Sequence, residues 1–204
     1  MKIPPLSKLC MSEQSGLKPI ADTRASSKTY FQINSLIVVR FNDALINNAG
    51  VASMNHFMLT PLETAKRLMN TNFFGPFAAI RAFIALLKKS EHPRIVNFST
   101  VAVPFNLDGE LAYVSSKAAV EELTKILAKE LSGFKITVNA VGPTPVKTAL
   151  TAKVPENKIQ ALLDRQAIKR FGEFEDIRNV INFYLQPESD FITGQIVYLG
   201  GVNK

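Results

Sequence analysis

Cysteine and histidine are nearly absent from this chain: its 204 residues include one cysteine, Cys10, and two histidines. A lone thiol cannot close an internal disulfide, and two histidines without a cysteine cluster leave no ligand set for a structural metal. Redox chemistry here would need an organic cofactor. Long apolar runs are missing too. No stretch reaches the roughly 18 consecutive apolar residues of a membrane span, and residues 1–16 lack the apolar centre of a secretory leader, so the expectation is a cytoplasmic protein with no membrane partner. Glycine is scarce where it would be most informative. Only Gly16 precedes Gly50, so residues 1–46 hold no glycine-rich turn of the kind that follows a strand and seats a phosphate.

What is present is a globular composition, 47% hydrophobic and 20% charged. That suits one compact domain over residues 17–204. Residues 1–16, which mix Pro4, Pro5, Ser7, Ser12, Ser15 and Gly16 with little periodicity, read as an irregular arm. The net charge of +7 raises the question of nucleic acid. Basic residues are scattered, and no basic stretch is interleaved with aromatics. The reading is therefore no nucleic-acid partner; the positive potential would serve a dinucleotide or a phosphorylated substrate instead.

Hydrophobic patterning predicts alternating strands and helices. Residues 27–41 read as a weakly patterned helix. Ala44-Leu45-Ile46 reads as a short buried strand ending in polar Asn47-Asn48. Thr60-Pro61-Leu62-Glu63 reads as a capping box opening a helix that runs to Lys88-Lys89, with a break near Gly75-Pro76. Strands follow at 94–98, 135–139 and 195–199. Helices are expected at 113–132, closed by a left-handed Gly133, and at 173–185, with a polar, partly helical segment over 144–170. Short apolar strands alternating with helices predict an α/β fold: a three-layer, Rossmann-like parallel sheet with helices on both faces.

In such a sheet, ligands bind beyond the carboxyl ends of the strands. Asn47–Gly50, Ser99-Thr100 and Gly142-Pro143-Thr144-Pro145 fall at three of those ends. Tyr113 and Lys117 lie one helical turn apart, on the same face. A free phenol has a pKa of about 10, and a nearby ammonium favours its phenolate, bringing the proton into a useful range. A phenol so tuned can protonate a carbonyl oxygen as hydride reaches the carbon, while a hydroxyl from Thr100 or Ser99 steadies the oxyanion. Tyrosine followed four places later by lysine is a weak signal alone. Its weight comes from the order of the other motifs around it.

Over residues 36–201 the chain resembles the classical short-chain dehydrogenase/reductase family. Asn47-Asn48-Ala49-Gly50 is similar to that family's sheet-stabilising turn beside the adenosine, so Asn48, Ala49 and Gly50 are implied cofactor contacts. Asn72, in Asn70-Thr71-Asn72-Phe73-Phe74-Gly75, resembles the asparagine of the proton relay. Tyr113-x-x-x-Lys117 resembles the catalytic pair, with tyrosine as acid/base and lysine lowering its pKa and binding the nicotinamide ribose. The run from Asn139 through Pro143, Thr144, Val146 and Thr148 resembles the turn that cups the nicotinamide. NAD or NADP is thereby implied, with a small carbonyl or alcohol substrate. The helices at 61–89 and 113–132 imply a homodimer or homotetramer.

Three departures stand against this resemblance. Thr100 occupies the position of the family's catalytic serine, with Ser99 beside it. Thr144 replaces the usual glycine of the turn. Residues 17–22, ending in Asp22, resemble the family's third strand and its adenine-contacting aspartate, which places the first two strands and their helices outside the chain. Ala44–Ile46 would then be an exposed edge unless covered or paired. Two functions remain open: an oxidoreductase interconverting ketone and secondary alcohol, including a variant acting on 3-oxoacyl groups of a carrier protein held by Lys153, Lys158, Arg165, Lys169 and Arg170; or a catalytically silent relative acting as a structural or regulatory partner.

Overall fold

The computed structural model describes residues 31–33, 36–39, 43–148, 150–152 and 154–202, with side chains from residue 43 onward. The expected arm at 1–16 and the adenine contact Asp22 lie outside the described residues. Six strands form one sheet: β1 (Phe31–Ile33), β2 (Leu36–Val39), β3 (Ala44–Asn47), β4 (Arg94–Phe98), β5 (Thr137–Gly142) and β6 (Ile196–Tyr198), in that spatial order. β3 to β6 run parallel, as expected of α/β crossovers.

The sheet is mixed rather than wholly parallel. Instead of the expected helix at 27–41, β1 and β2 form a hairpin whose second strand pairs antiparallel with β3, Leu36 opposite Asn47 and Val39 opposite Ala44. The physical reason is twofold: Leu36-Ile37-Val38-Val39 has the β-branched composition of a strand, and the edge of β3 needs a hydrogen-bonding partner. The edge foreseen as exposed is therefore paired.

Helices cover both faces. α2 (Gly75–Leu87) and α4 (Leu111–Glu130) bury Ile80, Leu87, Leu123 and Ala128 against Leu45, Ile95 and Val138. On the other face α6 (Phe174–Leu185) packs Ile177, Ile181 and Tyr184 against Ile46, Val96 and Val141. α1 (Leu62–Met69), the short α3 (Ala102–Phe105) and α5 (Glu156–Asp164) complete the set among the described residues. Two predicted caps differ. Thr60 donates its hydroxyl to the Asn55 and His56 carbonyls, leaving Pro61 as the cap of α1 with no side-chain bond. Beyond α4 a 3-10 turn over Ser132–Phe134 intervenes, and Lys135 at φ 58°, not Gly133, takes the left-handed position. α6 does open with a reciprocal capping box between Glu173 and Asp176.

At the amino end of β4, Arg94 is 1% exposed. Its guanidinium donates to the Gln186 carbonyl at 3.0 Å and to the Asp190 carboxylate, which also receives His92 at 3.1 Å. Arg94 foremost, and then His92, hold the Asp190 carboxyl below its usual pKa range against a modest opposing effect of burial. Asp190 is more than half exposed, so solvent screens the pair. Asp190→Asn is expected to cost about 1 kcal/mol in urea denaturation at neutral pH. Because the folded pKa is the lower one, that difference should shrink as pH falls through it; an unchanged midpoint at pH 7 would refute the tie.

Candidate active site

Buried asparagines build the frame on which the site stands. Asn47, the last residue of β3, donates to Asn97 Oδ1 at 2.7 Å, and Asn97 donates to Thr124 of α4 at 2.9 Å. Although Asn47 Oδ1 itself has no partner among the described residues, the chain of bonds pins two strand ends to one helix. Asn48 and Ala49 follow, half-buried, and Gly50 is exposed at the carboxyl edge. A Cβ at Gly50 would lie 3.4 Å from Lys117 Nζ and 3.7 Å from Asn72 Oδ1, so those two polar atoms converge on a backbone kept bare.

Asn72 sits at the centre of a π-helical turn, Asn70–Phe74, between α1 and α2. The expected break near Gly75-Pro76 is thus a one-turn widening just before it, of a kind frequent at functional sites. Its amide donates to Val51 O and to Ser116 Oγ, both at 2.9 Å, while Oδ1 accepts from Val51 N at 2.9 Å. One donor braces the loop after Gly50 and the other ties the π-helical turn to α4. One lone pair of Oδ1 remains, and Lys117 Nζ lies near the same Gly50 backbone.

Lys117 is 5% exposed, and its ammonium donates to the Phe98 carbonyl at 2.8 Å. Burial lowers its pKa to about 8. Tyr113, one turn earlier, is half-buried. Burial pushes the phenol up to about 12; a hydrogen bond with the Thr100 hydroxyl opposes this, and Glu110 at the start of α4 adds to it. The sequence led us to expect the lysine to draw the phenol downward. The structure gives the reverse direction because both groups are desolvated and the ammonium is aimed at the Phe98 carbonyl.

The adjacent hydroxyls part company. Thr100 faces Tyr113 and also accepts from Ala102 N at 3.2 Å. Ser99, 4% exposed, donates to Glu121 of α4, away from the phenol. Pro143 is tied to this turn, its carbonyl accepting from Val101 N at 3.1 Å. Val146 forms an isolated parallel bridge with Gly172 and buries its side chain in the α6-side core. Thr148 lies slightly apart, its N–H donating to Thr151 Oγ1 at 3.1 Å, beside a cleft of about 640 Å³ lined in part by Lys147, Ile159 and Phe171.

Thr144 is 6% exposed and its hydroxyl has no hydrogen-bond partner among the described residues. A buried hydroxyl left unpaired is costly unless something outside the protein satisfies it. With the bare Gly50 backbone, this makes the Lys117–Pro143 end suited to the nicotinamide and ribose of a dinucleotide. The other end is different. Beside β3, where a glycine-rich strand and turn would seat the pyrophosphate, stands the antiparallel β2. The described residues supply no substitute for that turn. Sequence reading missed two members of this neighbourhood, Glu110 and Glu121; the signal available was a carboxylate three residues before the tyrosine and another four after the lysine, both on its face of the helix.

Residues 36–203 match a family model described as enoyl-(acyl carrier protein) reductase. A 3-oxoacyl-[acyl-carrier-protein] reductase, FabG, of Thermotoga maritima is 35% identical over 159 residues, 78% of this chain and 65% of the relative. The NADPH-dependent aldehyde reductase 2, chloroplastic, of Arabidopsis thaliana is 35% identical over 160 residues, 77% of this chain and 59% of that one. A crystal structure from Agrobacterium tumefaciens, assigned to a gluconate dehydrogenase, superposes with a TM-score of 0.73 at 25% identity, over 78% of this chain and 64% of that one. This chain thus spans less than two thirds of the length of these relatives. The matched residues run from β2 through the tyrosine–lysine helix to the last strand, and on that ground the chain belongs to the short-chain dehydrogenase/reductase family.

Proposed function

We propose that this chain carries the catalytic half of an oxidoreductase that interconverts a ketone and a secondary alcohol. The observation that supports it most is the buried Lys117 ammonium, one turn from Tyr113, donating to the Phe98 carbonyl at the start of the turn that carries Ser99 and Thr100. NAD or NADP would supply or accept the hydride. Lys117, Pro143, Thr144, Val146 and Thr148 are the residues proposed to hold its nicotinamide end, and Asn48–Gly50 to lie beside its adenosine. Thr100 would orient the carbonyl oxygen by donating to it, Tyr113 would deliver its proton to that oxygen, and the free lone pair of Asn72 would accept from water on the Lys117 side. Ser99 is bonded elsewhere, so Thr100 is the hydroxyl we assign.

A 3-oxoacyl substrate on a carrier protein accords with what the Thermotoga maritima relative is named for. Of the basic residues considered for such a carrier, Arg170 is paired with Asp176 at 2.8 and 2.9 Å, and Arg165 bonds the Phe105 carbonyl at 2.9 Å. Lys153 lies outside the described residues, and of the other four Lys158 and Lys169, both exposed, are the better candidates. Among the described residues no helix is long and apolar enough to cross a membrane, and we propose a cytoplasmic setting.

A specific observation supports a second reading, a catalytically silent oligomer partner: the hairpin strand stands where a pyrophosphate turn is needed. α2 and α4 expose Phe77, Leu86 and Ile126, an apolar face suited to a homodimer or homotetramer. One experiment separates the two. The purified chain is mixed with NADH or NADPH and a panel of ketones and 3-oxoacyl thioesters, and its mass is measured by light scattering. Cofactor consumption that vanishes in Tyr113→Phe supports the enzyme. A stable oligomer with no cofactor binding at millimolar concentration supports the silent partner.

A further inference from the structure

Glu121 is a buried carboxylate that the proposed chemistry does not use. It lies on α4 one turn beyond Lys117, 7% exposed. Its Oε1 accepts from two hydroxyls at once: Ser99, on the turn leaving β4, and Tyr198, at the end of β6, the latter at 2.6 Å. Desolvation, and then the neighbouring carboxylate, raise the Tyr198 pKa, so the phenol stays a donor. The Tyr198 ring lies against Gly142, where a Cβ would come within 2.4 Å of it. Gly142 is the last residue of β5 and leads directly into Pro143.

One oxygen atom thus joins three parts of the site: the helix carrying Tyr113 and Lys117, the hydroxyl turn, and the strand that backs the Pro143 turn. Main-chain bonds close the loop. Ser99 N donates to Val141 O at 2.8 Å, Val101 N to Pro143 O at 3.1 Å, and Leu199 N to Gly142 O at 3.0 Å. With Ser99 drawn inward to α4, its neighbour Thr100 is left near enough to Tyr113 to oppose the rise of the phenol's pKa. Two adjacent hydroxyls compete for that place, and backbone bonds alone do not choose between them, since both side chains leave the same turn.

We infer that Glu121 is a positioning residue: by holding Ser99 and Tyr198 it selects Thr100 as the hydroxyl that meets Tyr113 and locks the hydroxyl turn in register with the Pro143 turn. Only Oε1 is needed, because both donors converge on it. Glutamine retains that oxygen, whereas leucine fills a similar volume and removes it, leaving two buried hydroxyls to find other partners.

This inference rests on the enzyme reading for its kinetic arm alone. The structural arm uses protein labelled with 13Cζ-tyrosine, with the Tyr113 signal assigned through Tyr113→Phe and its Thr100-free position through Thr100→Val. In Glu121→Leu the Tyr113 signal is expected to move toward the Thr100→Val position, and in Glu121→Gln to remain at the wild-type one. In the kinetic arm Glu121→Leu is expected to lower kcat for ketone reduction by about 10–100-fold with KM changed less than about threefold, and Glu121→Gln to recover most of it. If Glu121→Leu does not fold, Ser99→Ala removes the same tether with little loss of volume and should move the Tyr113 signal likewise. A Tyr113 signal unmoved in every folded variant lacking the tether overturns the inference. Wild-type protein that turns over no ketone while its Tyr113 signal still answers to Glu121 overturns the enzyme reading and sustains this one.

Discussion

Replacing Tyr113 by phenylalanine is expected to lower kcat for ketone reduction by about 10²–10⁴-fold while the fold stands. The phenol is half-buried, and the Thr100 hydroxyl beside it opposes the rise of its pKa. Phenylalanine keeps the ring and its packing, and Thr100 keeps its bond from Ala102 N, so the stability cost should stay within about 1 kcal/mol. What disappears is the proton donor. With burial pushing the phenol up to about 12, the proton stays on oxygen throughout the neutral range. A protonated phenol suits the reductive direction, whose rate should be flat up to about pH 8, where Lys117 begins to lose its charge. Alcohol oxidation needs the phenolate and should climb about tenfold per pH unit only up to that point, above which loss of the Lys117 charge opposes the rise. Stopped-flow loss of NADPH absorbance measures the effect; a variant retaining more than a tenth of wild-type kcat would refute the assignment.

Lys117→Met is expected to separate activity from stability. Lys117 is 5% exposed and its pKa falls from 10.5 to about 8 through burial. The folded state thus holds its proton less tightly than the unfolded one. Below pH 8 both states are protonated, and the buried ammonium costs the fold about 3 kcal/mol. Between about 8 and 10.5 the folded state has lost the proton and the unfolded state has not, so stability rises with pH; above that window the cost is gone. Methionine removes the charge at similar length but also the bond to Phe98 O, which offsets part of the gain. At pH 7 the variant should be about 1–2 kcal/mol more stable. The rise between pH 8 and 10 expected of the wild type should be absent from the variant's own curve, so the variant's advantage should shrink across that window. Activity should fall at least about 100-fold, because the ammonium proposed to hold the nicotinamide ribose is lost. Urea denaturation at pH 7 and pH 10, paired with kinetics, checks both arms; a variant less stable than wild type at pH 7 would show that the charge is not the dominant cost.

The parallel core was legible in the sequence because each of its strands is an apolar run bounded by polar or turn residues. Arg94–Phe98 was placed to the residue, and Ala44–Asn47 and Ile196–Tyr198 within one or two. The helix carrying Tyr113 and Lys117 was legible from the recurrence of Ala119, Leu123 and Leu127, although it starts two residues earlier, at Leu111. Residues 31–39 were misread because a short β-branched segment carries no period of its own; the open edge of β3 gave it a conformation. Thr60 failed as a cap for a similar reason: its hydroxyl found nearer carbonyls in the preceding turn.

By itself, the sequence determined the family, the order of its motifs and the kinds of side chain the site would contain, because helical and strand periods and motif spacing are local properties. It left open whether Ser99 or Thr100 meets the tyrosine. That choice belongs to the tertiary structure, since it depends on Glu121 and Tyr198, 22 and 77 residues apart from their bonding partners. Burial, likewise, is a property of the assembled core rather than of spacing. It raises Tyr113 and lowers Lys117, opposite to what two residues one turn apart would do to each other in water.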